Sequence, residues 1–181
     1  MKDLKDKIIA ITGGATGIGF ALAKAFGVEG AKIVIGETRE EKLEEAIDKL
    51  KNLDIDADKT HLDVTDLNSV ENFADFTCER YGRVDMLINN AGISGARGRI
   101  DKVNVLEAKK VFDVNFFGVW HGCSVFSKKM IEQGTKAAIY NLGSENSLFV
   151  AVPNSVAYVA SKHAVLGLSE SLRNDLPDFI H

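Results

Sequence analysis

Short β-branched runs alternate with longer stretches of helical periodicity throughout this chain, and that alternation restricts the fold more than any other feature. "KIIAIT" at 7–12 reads as a strand, and "GIGFALAKAFGVEG" at 17–30 as the helix after it, closed by glycines. "AKIVIGE" (31–37) is a second strand, followed by a charged amphipathic helix, "REEKLEEAIDKLKNL" (39–53). A short strand around "THLDV" (60–64) precedes a helix with Thr65 or Asp66 as its N-cap. "RVDMLINNAG" (83–92) gives a fourth strand, and a glycine-rich loop at 93–100 leads into one long helical pattern over 103–133. "KAAIYNLGS" (136–144) is the fifth strand, and a last helix carries Tyr158 and Lys162. Strands alternating with helices of this length predict an α/β fold of βαβ units. The sheet is expected to be doubly wound and parallel, with helices on both faces, in one domain spanning 1–181.

A length of 181 residues is ample for a real core, and 45% hydrophobic with 27% charged residues is ordinary for a soluble protein. The net charge of −4 and the lack of any Lys/Arg-rich run argue against a nucleic-acid partner. The N-terminal apolar run, Ile8 to Ile11, is too short for a signal segment or a membrane span, so no membrane partner is expected. Cys78 and Cys123 are far apart and read as reduced thiols of a cytoplasmic protein. The histidines (His61, His121, His163, His181) are scattered, and no metal site is expected.

The stretch "TGGATGIG" (12–19) falls where the first strand ends and the first helix begins. A helix N-terminus offers free N–H groups and a positive dipole end, which suits a phosphate. Gly13 permits the sharp turn, Gly17 lets backbone approach a pyrophosphate, and Gly19 lets the helix pack closely; Thr16 and Ile18 complete the turn. The spacing is G-xxx-G-x-G and departs from the common G-x-G-x-x-G, but the strand before it and the helix after it supply the context of a Rossmann-like dinucleotide site. Glu37, at the end of the second strand, is placed to accept hydrogen bonds from adenosine ribose hydroxyls. A carboxylate there repels a 2′-phosphate, so NAD is expected over NADP, although Arg39 two residues on could reach such a phosphate.

"YVASK" (158–162) sets a phenol and an ammonium one helical turn apart. Alone, this pair would be a packed tyrosine with a lysine snorkelling over it. Taken with the rest, the chain resembles the short-chain dehydrogenase/reductases across essentially all 181 residues. "TGGATGIG" is similar to their cofactor turn, "LDVTD" (62–66) to their adenine-side segment with Asp63 and Val64, and "NNAG" (89–92) to the motif with Asn90, Ala91 and Gly92 that lines the cofactor. Asn115 in "VFDVNFFGV" matches their active-site asparagine, and Tyr158 and Lys162 match their Tyr-x-x-x-Lys.

The resemblance implies an oxidoreductase moving a hydride between NAD(H) and a secondary alcohol or ketone, with Tyr158 as general acid/base. A free phenol, with a pKa of about 10, is a poor base at neutral pH, and the Lys162 ammonium favours its ionised form. By the same resemblance Lys162 also binds the nicotinamide ribose, Asn115 anchors a water in a proton relay, and a loop serine holds the substrate oxygen. That serine usually lies thirteen residues before the tyrosine, where this chain has Glu145; Ser144, one residue earlier, is the expected counterpart and Ser147 the alternative. Family members continue into further C-terminal strands, a Pro-Gly turn and a substrate lid that this sequence lacks. A C-terminally truncated chain would expose an apolar sheet edge, and a non-catalytic cofactor-binding or dimerising protein is the alternative function. A homodimer or homotetramer is the expected assembly.

Overall fold

All five residues of Ile8–Thr12 are buried, so this strand (β1) must be covered on both faces and flanked on both edges. In the computed structural model, which describes residues 4–150 and 152–181, it is the centre of a five-stranded sheet ordered β3-β2-β1-β4-β5. The other strands are β2 (Lys32–Glu37), β3 (Ala57–His61), β4 (Met86–Asn89) and β5 (Ala138–Asn141), and every pairing is parallel. Alternation along β1 and β2 divides the core in two. Ile9, Ile11, Ile33 and Ile35 face one side, packed with Leu43 and Leu50 under helices α1 (Gly17–Val28) and α2 (Glu40–Lys51). Ala10, Val34 and Leu87 face the other, packed with Phe73, Phe126 and Met130 under α3 (Leu67–Tyr81) and α5 (Gly118–Gln133). Helix α6 (Val156–Asp175) lies beside α5, sharing the cluster of Val119, Cys123 and Val165 with Ile139 of β5. Each fully buried Ile or Leu contributes about 1.5–3 kcal/mol relative to an exposed position.

The chain runs outward from β1 through β2 to β3, then returns to place β4 and β5 on the other side of β1. That reversal opens a crevice between the carboxyl ends of β1 and β4, the place where open α/β sheets bind ligands. The α/β, doubly wound parallel arrangement with helices on both faces is as the sequence predicts.

Three local expectations need correction. The third strand is Ala57–His61 and not 60–64. It is an edge strand, and one paired side lets the polar Asp58, Lys59 and Thr60 serve, while Leu62 and Val64 turn inward past its end. The single long helix over 103–133 is broken. Helix α4 (Val105–Phe112) passes into a π-helical turn, Asp113–Phe117, before α5 continues. Such a turn accommodates an extra residue, here around the buried Asn115. The outer edge of β5 is not bare: Ala137 and Ile139 donate their N–H groups to the carbonyls of Phe179 and His181 at 2.9 and 2.7 Å, and Ala137 bridges Ile180 in parallel. Asp66 is the N-cap of α3, accepting from the Asn68 amide at 3.0 Å.

Candidate active site

The ends of β1 and β4 are stitched together at the crevice. The Thr12 hydroxyl accepts from the backbone amides of Asn90 and Ala91, both at 3.0 Å, and Asn90 Nδ2 donates to the carbonyls of Thr12 and Gly13 at 2.9 and 3.0 Å. A Cβ on Gly19 would fall 2.3 Å from the Gly13 carbonyl oxygen and 2.5 Å from Asn90 Nδ2, so the first turn of α1 closes onto the glycine turn and Asn90 only because Gly19 lacks a side chain. Its close contact is thus with the turn itself, where helix-to-sheet packing was expected. Gly17 adopts φ +55, and nothing lies within 4 Å of where its Cβ would be, which leaves the backbone bare there. Thr16, the N-cap, forms no side-chain capping bond. The N-terminus of α1 therefore presents uncapped N–H groups, a cradle suited to an anionic oxygen.

At the end of β2 the Glu37 carboxylate accepts from the Thr38 amide (3.0 Å) and hydroxyl (3.1 Å) and from Arg39 at Nε (3.3 Å) and a terminal guanidinium nitrogen (2.9 Å). Burial pushes the carboxyl up, but the hydrogen bonds and charge of Arg39, with Thr38, outweigh it and hold Glu37 below the usual glutamate range. Arg39 also donates to the Thr16 hydroxyl at 3.2 Å, joining the strand end to the glycine turn. Asp63 lines the same crevice while accepting from the Thr65 amide and hydroxyl at 2.9 and 2.8 Å. Val64 beside it is fixed from behind. Its carbonyl accepts from His121 Nδ1 at 2.9 Å, and a Cβ on Gly118 would come within 2.7 Å of its side chain.

On the far side of β4, Tyr158 and Lys162 lie one turn apart on α6 and both line the cleft. Lys162 Nζ is 5.9 Å from the Tyr158 ring centroid and donates to the Leu142 carbonyl at 2.6 Å. Burial lowers the Lys162 pKa from the ordinary lysine value. Ser144 also lines the cleft, as N-cap of the short 3₁₀ turn Glu145–Ser147, and its hydroxyl accepts from the Asn146 amide at 3.2 Å. Ser147 is buried beneath it and accepts from the Ser144 amide at 3.1 Å. Asn115 is fully buried: Oδ1 accepts from the Ile93 amide at 2.8 Å, and Nδ2 donates to the Ile93 carbonyl (2.9 Å) and the Ser161 hydroxyl (3.2 Å). Its side chain ties the loop after β4 to α6, next to Tyr158 and Lys162.

Together these groups line one cleft of about 1050 Å³. It brings together Gly13, Thr16, Ile18, Glu37, Asp63, Val64, Asn90, Ala91, Gly92, Ser144, Tyr158 and Lys162; Gly17, Gly19 and Asn115 are not among its lining residues, Gly19 packing on the turn and Asn115 on Ile93 and Ser161. Sequence reasoning passed over the Leu142 carbonyl, which holds Lys162 with main chain that has no side-chain signature, and Ser161, hidden inside "YVASK". Among the described residues no group of three or more His, Cys, Asp or Glu could hold a metal, and no helix is long and apolar enough to cross a membrane.

A parallel, doubly wound sheet with a glycine-lined cleft at its switch point is a Rossmann-type fold, with its cleft where such sheets bind ligands. Residues 7–179 match the short chain dehydrogenase family, and the chain belongs to it. It is 38% identical over 174 residues to zerumbone synthase of Zingiber zerumbet, covering 96% of this chain and 64% of that protein. A short chain dehydrogenase/reductase of Burkholderia phymatum, solved in complex with NAD, superposes with a TM-score of 0.92 at 35% identity, covering 97% of this chain and 62% of that one. A variant of actinorhodin polyketide ketoreductase, solved with NADPH, does so with a TM-score of 0.92 at 30% identity, covering 99% and 69%. The chain thus spans less than two thirds of the length of the first two.

Proposed function

We propose that this protein, as one domain over residues 1–181, is an NAD-dependent oxidoreductase acting on a secondary alcohol or ketone, with Tyr158 as general acid/base. The observation that carries this reading is the Tyr158–Lys162 pair facing the same cleft as Ser144 and the glycine turn. When bound, the nicotinamide supplies a hydride acceptor or donor. The residues present fit such a group: the uncapped start of α1 and the bare backbone at Gly17 suit its phosphates, Glu37 and Asp63 the adenosine side, and Asn90, Ala91, Gly92 and Lys162 the other half. In the oxidative direction the Tyr158 phenolate takes the substrate hydroxyl proton, and the Lys162 charge stabilises that phenolate. The Ser144 hydroxyl holds the substrate oxygen as charge develops on it. Asn115 orders the loop and helix behind these groups and anchors a water for the proton relay to Lys162.

Glu37 supports NAD over NADP, because its carboxylate both faces the ribose side and already engages Arg39. A 2′-phosphate would have to compete with that carboxylate. The second reading, an NADP-dependent ketoreductase, draws on Arg39, whose side chain is 57% exposed and reaches Thr16 at the turn. Function in the cytoplasm and self-association, with the half-exposed Phe117 and Trp120 on one helical face, complete the proposal.

Fluorescence titration with NADH and NADPH tests the cofactor, and Tyr158→Phe tests the chemistry across a panel of secondary alcohols. NADH should bind about tenfold tighter or better, a difference worth about 1.4 kcal/mol. Tyr158→Phe should lose turnover while keeping its NADH affinity. Tighter NADPH binding overturns the cofactor reading, and turnover retained in Tyr158→Phe overturns the catalytic one.

A further inference from the structure

We propose that Asn141 is a positioning residue for Lys162, acting through a strand-to-helix clamp made with Asn89 and Ser169; this rests on the reading of Lys162 as part of the active site. Asn141 is the last residue of β5. Its Nδ2 donates to the Ser169 hydroxyl at 2.9 Å, and its Oδ1 accepts from Asn89 Nδ2 at 2.9 Å and from the Cys123 thiol at 3.4 Å. The Ser169 hydroxyl spends its own hydrogen on the Val165 carbonyl at 2.7 Å and so accepts from Asn141. The amide therefore has one orientation, since turning it over would set its NH₂ against that of Asn89.

The next residue continues the construction. The Leu142 amide donates to the Asn89 carbonyl at 2.9 Å, and the Leu142 carbonyl accepts the Lys162 ammonium at 2.6 Å. Lys162 and Ser169 are seven residues, two turns, apart and so share one face of α6. The helix is held to β5 at two points, by the Asn141 side chain at Ser169 and by the adjoining carbonyl at Lys162. Among the described residues Lys162 pairs with no carboxylate within 4.0 Å, so that carbonyl directs its ammonium. Asn89 is itself buried, with an Oδ1 that finds no donor, and a Cβ on Gly122 would come within 2.1 Å of that oxygen. An amide kept there at such a cost, with α5 shaped around it, serves orientation better than stability.

The test follows Lys162 itself, in the full chain labelled with [ε-¹³C]lysine, its signal assigned by Lys162→Arg. The ionisable groups beside the clamp are Tyr158, on the same helix, and Cys123, whose thiol burial pushes up to about 11 and keeps neutral at pH 7. In Asn141→Ala and Ser169→Ala the Lys162 signal should shift and its titration midpoint move toward the ordinary lysine range, other lysines staying in place. NADH affinity should fall by about twofold to tenfold, as for one lost hydrogen bond. Ser169→Thr keeps the hydroxyl and should restore the wild-type Lys162 signal. Should Asn141→Ala not fold, Ser169→Ala carries the test from the helix side. An unmoved Lys162 signal and midpoint in a folded Ser169→Ala protein, with only its melting temperature lowered, overturns the proposal. A Lys162 response accompanied by full turnover in Tyr158→Phe upholds the clamp and overturns the catalytic reading instead.

Discussion

Asn115→Ala isolates how much of the site depends on one buried amide. The side chain is wholly excluded from solvent and makes three hydrogen bonds, two of them to the backbone of Ile93 and one to Ser161. At about 1 kcal/mol net each, their loss costs about 3 kcal/mol, and the Ile93 N–H and C=O, left without partners, raise the total to about 3–5 kcal/mol. That is a large part of the roughly 5–15 kcal/mol that holds a domain together. In urea unfolding with a slope of about 2 kcal/mol per molar, the midpoint should fall by roughly 1.5–2.5 M. Asn115→Asp separates hydrogen bonding from packing, because it is the same size. One carboxylate oxygen still accepts from the Ile93 amide at 2.8 Å, but the other replaces the donor that now meets the Ile93 carbonyl at 2.9 Å. It should be destabilised comparably to the alanine variant. If both midpoints stay within about 0.5 M of wild type, a shift of about 1 kcal/mol at that slope, the amide does not anchor the loop and the reasoning fails.

Two further outcomes follow from the same geometry. Gly19→Ala drives a methyl to 2.3 Å from the Gly13 carbonyl oxygen, a backbone atom that can yield only by opening the turn. The variant should keep its circular dichroism yet bind NADH more than about tenfold weaker; unchanged affinity would show that the turn does not carry the phosphates. Lys162→Met tests the cost of burying an ammonium. Burial sets the folded pKa below the 10.5 of an ordinary lysine, so the unfolded chain binds more protons between those values. The wild type should therefore gain stability relative to Lys162→Met as pH rises from 7 toward 10.5, read from urea midpoints, and a pH-independent difference would remove the assigned cause.

The parts of this molecule that were legible in the sequence are those where a residue type and a local period suffice. "IIAIT" and "KIVIGE" announce strands buried on both faces, and the structure buries Ile9, Ile11, Ile33 and Ile35 on one side and Ala10 and Val34 on the other. Thr65 or Asp66 announces the start of α3 because a short side-chain acceptor satisfies an early helical N–H, and the structure takes Asp66. The third strand was misplaced because "ADKTH" sits on an edge, where one ladder and one buried face leave its polar residues little different from a loop. The break at Asn115 was invisible for another reason. Each residue of "VFDVNFFGV" suits a helix, and the π-turn is tied to Ile93, twenty-two positions away. The candidate site residues announced themselves by residue type and motif, whereas the Leu142 carbonyl is backbone and depends on the fold to aim it.

The division of labour across the cleft follows from where the sheet reverses. The half over β1 and β2 is built mainly from backbone and from charges that already satisfy one another, as in Glu37 with Arg39 and Thr38. Such a surface can receive a ligand that brings its own phosphates and hydroxyls. The half over β4, β5 and α6 is built from side chains fixed by asparagine amides, Asn89 and Asn115 buried and Asn90 and Asn141 partly so: Asn90 on the turn, Asn115 on the loop after β4, and Asn89 and Asn141 behind Lys162. Amides are neutral, carry donors and acceptors in a fixed plane, and so orient neighbours without adding charge that would compete for Lys162 or Tyr158. On the proposed reading, proton transfer at Tyr158 is served by neutral asparagines behind the site, while the acids that line the cleft are Glu37 at the end of β2, Asp63 past β3, and Asp113, which is paired with Lys109.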